Sequence, residues 1–446
     1  MRTQWLHTLF SSTTALSYLS LTFALAAGVH HHSSGFAGSP SSPVLATLHF
    51  PHARVLQMVP DDTTGRLLVL TQATTRTRGP QRVTESVFDP RTGRLLHTVT
   101  LDPDYATDSF QVDPRTGHII FLNTGQDKVN GRAHVVDGTS GRPLLTFGTD
   151  KPPFDMALDP QRGYLLVVNL LVMRAYDLRT GKPIQRAFVP LGQAAGNYFF
   201  IVNPRDHLVY VNTLNMDGVL LLDELTGAVR GRVFLGRAYD TAAMVTATFD
   251  QRADVLLLTV PKNSPQGYYD PQGTLRYDVY AVDGRTGRHV RDIYGFGAIS
   301  GKPSINTYSV VGQGPAGPVF TTVNDTTFDP WTDCCQTPHT IKVDAADLAT
   351  GGTFGGKAIE PYLDNAETDL QLDERARRAF LAVTASDGSA PRGSTLYVLG
   401  FQGGLVGHPL PLGTGAVTLG VLPQAGRVLI FHHDDNTISI LDVARL

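Results

Sequence analysis

The chain is short of several features on which functional assignments rest. Its 446 residues include only two cysteines and two tryptophans. Charge is sparse and nearly balanced, with 37 Lys and Arg against 40 Asp and Glu and a net charge of −3. No long run of one sign occurs, so the basic footprint of a nucleic-acid binder is missing and no nucleic-acid partner is expected. No long helical periodicity follows the N-terminus. Absent too are a Gly-x-Ser-x-Gly elbow, a His-Glu-x-x-His helix and a Gly-rich phosphate loop with its Lys, and no carboxylate pair stands out by spacing. These absences remove the common catalytic signatures but not a site gathered from distant segments.

What the chain has is repetition. A short apolar run, a turn of the form Asp-x-x-Thr-Gly or Asp-Pro-x-x-Gly, then another apolar run recurs as VFDPRTGR (87–94), HVVDGTSGR (134–142, with Ser for Thr), RAYDLRTGK (174–182), LLLDELTGA (220–228) and YAVDGRTGR (280–288). Weaker copies are VDAADLATG (343–351), LYVLGFQGG (396–404) and SILDVARL (439–446). In each, Asp bonds back to the turn and Gly takes the left-handed conformation, which closes a tight strand-to-strand hairpin. A second phrase interleaves with the first, as in FQVDPRTGHIIFLN (110–123), MALDPQRGYLLVVN (156–169), FIVNPRDHLVYVNT (200–213), ATFDQRADVLLLTV (247–260) and LQLDERARRAFLAV (370–383). Each unit reads strand a, tight turn, strand b, variable loop, strand c, tight turn, strand d.

That unit is one four-stranded propeller blade. The predicted fold is therefore all-β, a single β-propeller of four-stranded antiparallel blades over residues 44–446. Eight blades are counted, with seven as the alternative because the unit near 305–360 is degenerate. The last unit lacks its own strand d, while VLATLHF (44–50) is an orphan strand before the first strand a, so the N-terminal strand is expected to close the ring and remove two sheet edges. A hydrophobic content of 42% suffices for buried sheet faces.

The Asp-x-x-Thr-Gly turns and the strand LVYVNT (208–213) resemble the YVTN-type β-propeller repeat family, which includes surface-layer-like and YncE-like extracytoplasmic proteins. The resemblance covers about residues 44–446 at the level of the repeat. It implies a propeller outside the cytoplasm, commonly of seven blades, and it is silent on ligand.

The N-terminus agrees on location. Arg2 is followed by a mostly apolar stretch from Ala15 to Ala27, and Ala24-Leu25-Ala26 has the small-x-small form of a signal-peptidase site. Residues 1–27 are read as a secretory signal peptide, with a retained membrane anchor as the alternative. Residues 28–43, Pro-, Gly- and Ser-rich, are read as a flexible leader. No cysteine follows the apolar stretch, which argues against a lipoprotein anchor. The mature chain is expected outside the cytoplasm, without a membrane span and monomeric.

Loop length points to a working surface. The a–b and c–d turns are nearly all tight, whereas the b–c loops vary from short, Asn169 to Arg174, to long, as in Gln72 to Ser86, Pro261 to Asp278 and Asn324 to Thr340. In a propeller the b–c and d–a connections share one face, which is the expected binding face for a protein, glycan or small ligand. The opposite face reads as economical turn chemistry. Asp108, Asp155, Asn197, Asp240, Asn306 and Asp369 fall at or just before the start of inner strands, so they are expected to ring the channel mouth. Such a ring suits Ca²⁺ or the cationic part of a ligand, or else hydrates the channel and satisfies the first amides of the inner strands. Nothing in the sequence requires a cofactor.

Two local features complete the list. Cys334 and Cys335 are adjacent in an exported chain, so a vicinal disulfide is expected, stiffening its loop or meeting a ligand. His432 and Asp434 offer nitrogen and oxygen donors for Zn²⁺ or a similar ion, against the plainer reading of a polar turn. The cysteine pair on an eight-bladed propeller also resembles the quinoprotein alcohol dehydrogenases. The chain departs from them in lacking their repeated Trp docking motifs, having only Trp5 and Trp331. The functional expectation is a secreted or cell-surface binding propeller. The alternative is a propeller enzyme, dehydrogenase or lactonase-like, with a metal or quinone at the channel mouth.

Overall fold

Aspartate and glycine set the corners. In the first c–d turn the Asp89 carboxylate accepts the Arg91 amide at 2.9 Å and the Thr92 hydroxyl at 2.9 Å. The Gly93 amide then closes on the Asp89 carbonyl at 2.8 Å, with Gly93 at φ +69°, where a side chain would be strained. Asp177, Asp223, Asp283 and Asp347 repeat the device. The extra turn residue leaves a register shift between strands c and d, as at Val87/Phe88, Leu221/Leu222 and Ala281/Val282.

A computed structural model describes residues 42–446 except 62–63, 75–82, 101–108, 114, 125–130, 139, 141, 150–154, 169–172, 186–199, 213–217, 235–245, 251–252, 263–273, 294–298, 301–307, 312–317, 326–338, 363–365 and 387–390. The described strands form eight antiparallel sheets, seven of four strands and one in which the short strand Ile299–Ser300 pairs as a fifth with Thr274–Asp283. Seven are built from four strands consecutive in the chain: blade 1 (53–100), blade 2 (109–149), blade 3 (155–185), blade 4 (200–234), blade 5 (246–293), blade 6 (308–362) and blade 7 (366–413). The eighth is composite. Its strands a to c are Val417–Leu422, Arg427–His432 and Thr437–Asp442, and its outermost strand is Val44–His49, which pairs antiparallel with Thr437–Asp442.

Burial follows strand position. The b strands carry consecutive buried apolar residues, Leu67 to Leu70, Ile119 to Leu122 and Leu165 to Val168, because both faces of the sheet meet a neighbouring blade. The outer strand Arg94–Thr100 is mostly half-buried or exposed. Apolar clusters join neighbours in turn: blades 1, 2 and 3 share one, and blades 3/4, 4/5, 5/6, 6/7, 7/8 and 8/1 share the others. The eight sheets thus form a continuous ring, a β-propeller. Among the described residues there is no α-helix, and no helix is long and apolar enough to cross a membrane.

Candidate functional site

The residue after the c–d aspartate occupies an interior position. Its amide donates to the carbonyl of the left-handed residue in the a–b turn: Leu178 to Gly163 at 2.9 Å, Gly284 to Asp254 at 2.7 Å, Val443 to Gly426 at 3.1 Å. Other blades place Pro90, Gly138, Leu348 or Phe401 there, and Leu348 and Val443 belong to the inter-blade cores. Blade 4 has Glu224, bonded through its amide to the His207 carbonyl at 2.9 Å and 0% exposed. Its a–b turn is also irregular. Where blades 1, 2, 3 and 8 have Gly65, Gly117, Gly163 and Gly426 at positive φ, blade 4 has His207 at φ +59°, as blades 5 and 7 have Asp254 at +55° and Arg377 at +54°. A non-glycine residue there costs about 1–2 kcal/mol.

Both departures meet the same feature of blade 3. Asp159 opens that blade's a–b turn, and its Oδ1 accepts the amides of Gln161 at 2.9 Å and Arg162 at 3.2 Å. The other oxygen, Oδ2, is buried without a hydrogen-bond partner, as are both oxygens of Glu224, Nδ1 of His207 and Nη1 of Arg162. His207 Nδ1 lies 3.9 Å from Glu224 Oε2, and Arg162 Nη1 lies 3.9 Å from Glu224 Oε1. One donor atom each from Asp159, His207 and Glu224 fall within 4.8 Å of one another. Burial first, then the Asp159 charge, push the Glu224 carboxyl up to about 8, while Arg162 pulls the other way. An isolated ionised carboxylate in such a place costs several kcal/mol.

A second polar network joins blade 4 to blade 5 on the same face. The Tyr210 hydroxyl, fully buried, donates to the Gly284 carbonyl at 2.6 Å and accepts from Asn203 Nδ2 at 2.9 Å. Asn203 Nδ2 also reaches Asp254 at 3.0 Å and Asp206 at 3.3 Å, and Arg285 Nε stands 3.8 Å from Asp206. Burial, with Asp206 alongside, raises the Asp254 carboxyl to about 6. The polar peculiarities of blade 4 therefore lie on the tight-turn face. Sequence reading took that face for plain turn chemistry and overlooked them. The signal was available as an exception to the repeat, Glu224 being the charged residue in a column otherwise filled by Pro90, Gly138, Leu178, Gly284, Leu348, Phe401 and Val443.

Of the expected channel-mouth ring, Asp108, Asn197, Asp240 and Asn306 lie outside the described residues. Asp155 begins strand a of blade 3, as placed, but its side chain is outside the description. Asp369 lies inside strand Ala366–Asp373 rather than at its start. Its carboxylate accepts the amide of Leu419 in the next blade's inner strand at 2.7 Å and Gln371 Nε2 at 3.2 Å, and burial raises its pKa. Cys334 and Cys335 lie outside the described residues. His432 ends its strand with Nε2 3.0 Å from the Ser439 hydroxyl, burial lowering its pKa, while His433 Nε2 meets Thr418 at 2.7 Å. The Asp434 carboxylate stands against Gly415, which has φ +104°. Among the described residues no third donor joins His432 and Asp434, whereas Asp159, His207 and Glu224 do form a three-donor group.

No protein-family model matches the chain, and no curated protein matches it. Solved structures similar to it include BamB from Moraxella catarrhalis, 13% identical, covering 90% of this chain and 97% of that one with a TM-score of 0.48. A eukaryotic initiation factor is 12% identical over 82% of this chain and 80% of the other, with a TM-score of 0.49. Hydrazine synthase of Kuenenia stuttgartiensis is 15% identical over 76% of this chain and 95% of the other, with a TM-score of 0.46. At such identities no function is carried across, and the propeller assignment stands on the strand pairing of this chain itself.

Proposed function

We propose that the chain is an extracytoplasmic interaction propeller that recognises a partner through the face bearing its b–c and d–a connections. The observation that carries this reading is the asymmetry of connection length. The b–c connections range from residues 169–172 in blade 3 to 263–273 in blade 5 and 326–338 in blade 6. Most of the described a–b and c–d corners of the other face are closed by short hydrogen-bonded turns, the c–d connection of blade 7 over residues 401–409 being longer. Variable loops on a rigid scaffold are where recognition concentrates. The apolar, small-residue-terminated stretch of residues 1–27 supports export, and Cys334 and Cys335 fall in the longest of these connections, where a vicinal disulfide would stiffen it.

A photo-crosslinking residue placed at Tyr268 or Trp331, compared with Arg91 or Arg179 on the turn face, tests the reading in cells that produce the protein. Crosslinks to one partner are expected from the first pair and not from the second. Crosslinks from the turn-face pair alone overturn the assignment of the face. A stoichiometric quinone chromophore in the purified chain overturns the binding role in favour of an enzyme. Sequencing of the mature N-terminus tests export, with cleavage near Ala26 as the expected result.

A further inference from the structure

We propose that Asp159, His207 and Glu224 form a site for one divalent transition-metal cation of the zinc and manganese class, which fastens blade 3 to blade 4 from the turn face. The inference is independent of how the opposite face is used. Glu224 carries it furthest, because a side chain that is 0% exposed presents two unpartnered carboxylate oxygens to the same point as a buried imidazole nitrogen and a second buried carboxylate oxygen. Asp159 is fixed by the two amides held on its other oxygen, so Oδ2 is the atom left to bind. The 3.9 Å between His207 Nδ1 and Glu224 Oε2 is close to the edge of about 3.4 Å that ligands make around an ion with bonds of about 2.1 Å.

The donor set decides the class of ion. One imidazole with two carboxylates suits zinc or manganese, whereas Ca²⁺ takes six or more oxygens. Arg162, at the solvent edge with 24% of its side chain exposed, places Nη1 3.9 Å from Glu224 Oε1, where its charge opposes a cation and sets a ceiling on affinity. The repeat supplies the controls. Leu stands at the Glu224 position in blades 3 and 6, and Gly stands at the His207 position in four others, so Glu224→Leu and His207→Gly are substitutions the fold already accommodates.

The test is calorimetric titration of the chelator-treated full chain with Zn²⁺, Mn²⁺ and Ca²⁺ separately, with elemental analysis and thermal unfolding beside it. One equivalent of Zn²⁺ or Mn²⁺ is expected to bind and raise the melting temperature. Glu224→Leu and His207→Gly are each expected to weaken that binding at least tenfold, while the metal-free variants melt no lower than the parent. Arg162→Gln is expected to tighten it. Glu224→Gln, which keeps the shape, serves if either first variant fails to fold, and the same tenfold loss is expected of it. The proposal is overturned if no saturable single equivalent binds, if only Ca²⁺ binds, or if binding survives undiminished in the variants and so belongs to another group.

Discussion

Asn436 holds the backbone of Val55 across 381 positions of sequence, its side-chain oxygen accepting the Val55 amide at 2.7 Å. The same amide group donates to the carbonyls of Phe50 and Ala53. Asn436 stands in the turn between the last two strands at φ +51°, a conformation asparagine tolerates better than most residues. One side chain thus ties the end of the chain to the point where the outer strand Val44–His49 leaves the composite blade and the inner strand of blade 1 begins.

Asn436→Ala is accordingly expected to destabilise the propeller by about 3 kcal/mol, from the lost bonds and from an unfavourable left-handed alanine. Asn436→Gly removes the bonds but accepts the backbone, so its loss should be nearer 2 kcal/mol. Urea unfolding of both variants checks this. Equal stability of the parent and Asn436→Ala would show that the junction bears no strain on unfolding.

Removing residues 1–50 tests the composite blade more severely. It strips the buried Leu48 and Phe50 from the cluster shared with blade 1 and leaves strand Thr437–Asp442 as an open edge. An unpaired edge beside an exposed apolar face favours association between chains. The truncated chain is expected to elute as oligomers or aggregate, and a monomer with parental stability in size-exclusion and thermal measurements contradicts the pairing. Gly93→Ala is the mild counterpart. A Cβ there would come 2.7 Å from the Cβ of Ala46, and the residue has positive φ, so a loss of about 2 kcal/mol is expected.

Tyr210→Phe isolates the polar junction of blades 4 and 5. The ring keeps its packing against Phe249, with centroids 5.3 Å apart, while the Gly284 carbonyl loses the hydroxyl that donates to it and Asn203 Nδ2 loses one of its three acceptors. Buried polar groups left unsatisfied cost about 1–3 kcal/mol. A loss of about 2 kcal/mol is expected, and a double-mutant cycle with Asn203→Ala should show coupling, since the two residues share one bond.

Much of this architecture was legible in the chain. The Asp-x-x-Thr-Gly phrase fixes a corner wherever it occurs, because the carboxylate bonds and the left-handed glycine are local. The orphan strand 44–50 could be paired with the last unit because an unfilled edge and an unpaired strand answer each other. The site was less legible for a physical reason. Asp159, Arg162, His207 and Glu224 come from three turns of two blades, and no spacing within one turn announces them. Only columns read across repeats show that Glu224 stands where the other blades have an uncharged residue, and that a histidine stands where four blades have Gly. Asp369 shows the converse limit: its composition suggested a ligand group, while the bond it makes to the Leu419 amide depends on where the next blade lies.

Glu85 gives the pH dependence. It lies in strand Val83–Asp89 of blade 1, opposite Leu70 on one side and Val99 on the other, 0% exposed and with both oxygens unpartnered. Burial first, and the Asp137 charge second, push its carboxyl from 4.5 to about 8. Below about pH 4.5 the group is neutral in both folded and unfolded chains, so it exerts no ionic penalty. Between 4.5 and 8 the unfolded chain has released the proton and the folded chain still holds it, so stability falls as pH rises. Above 8 both states are ionised and the full penalty, of the order of a few kcal/mol, is present. Glu85→Gln keeps the shape without the titration. Its stability advantage over the parent is therefore expected to grow steadily from about pH 5 to about pH 8 in urea unfolding, and then to level. A difference that is flat across that range would mean that the carboxyl is ionised in the folded propeller and has found a partner there.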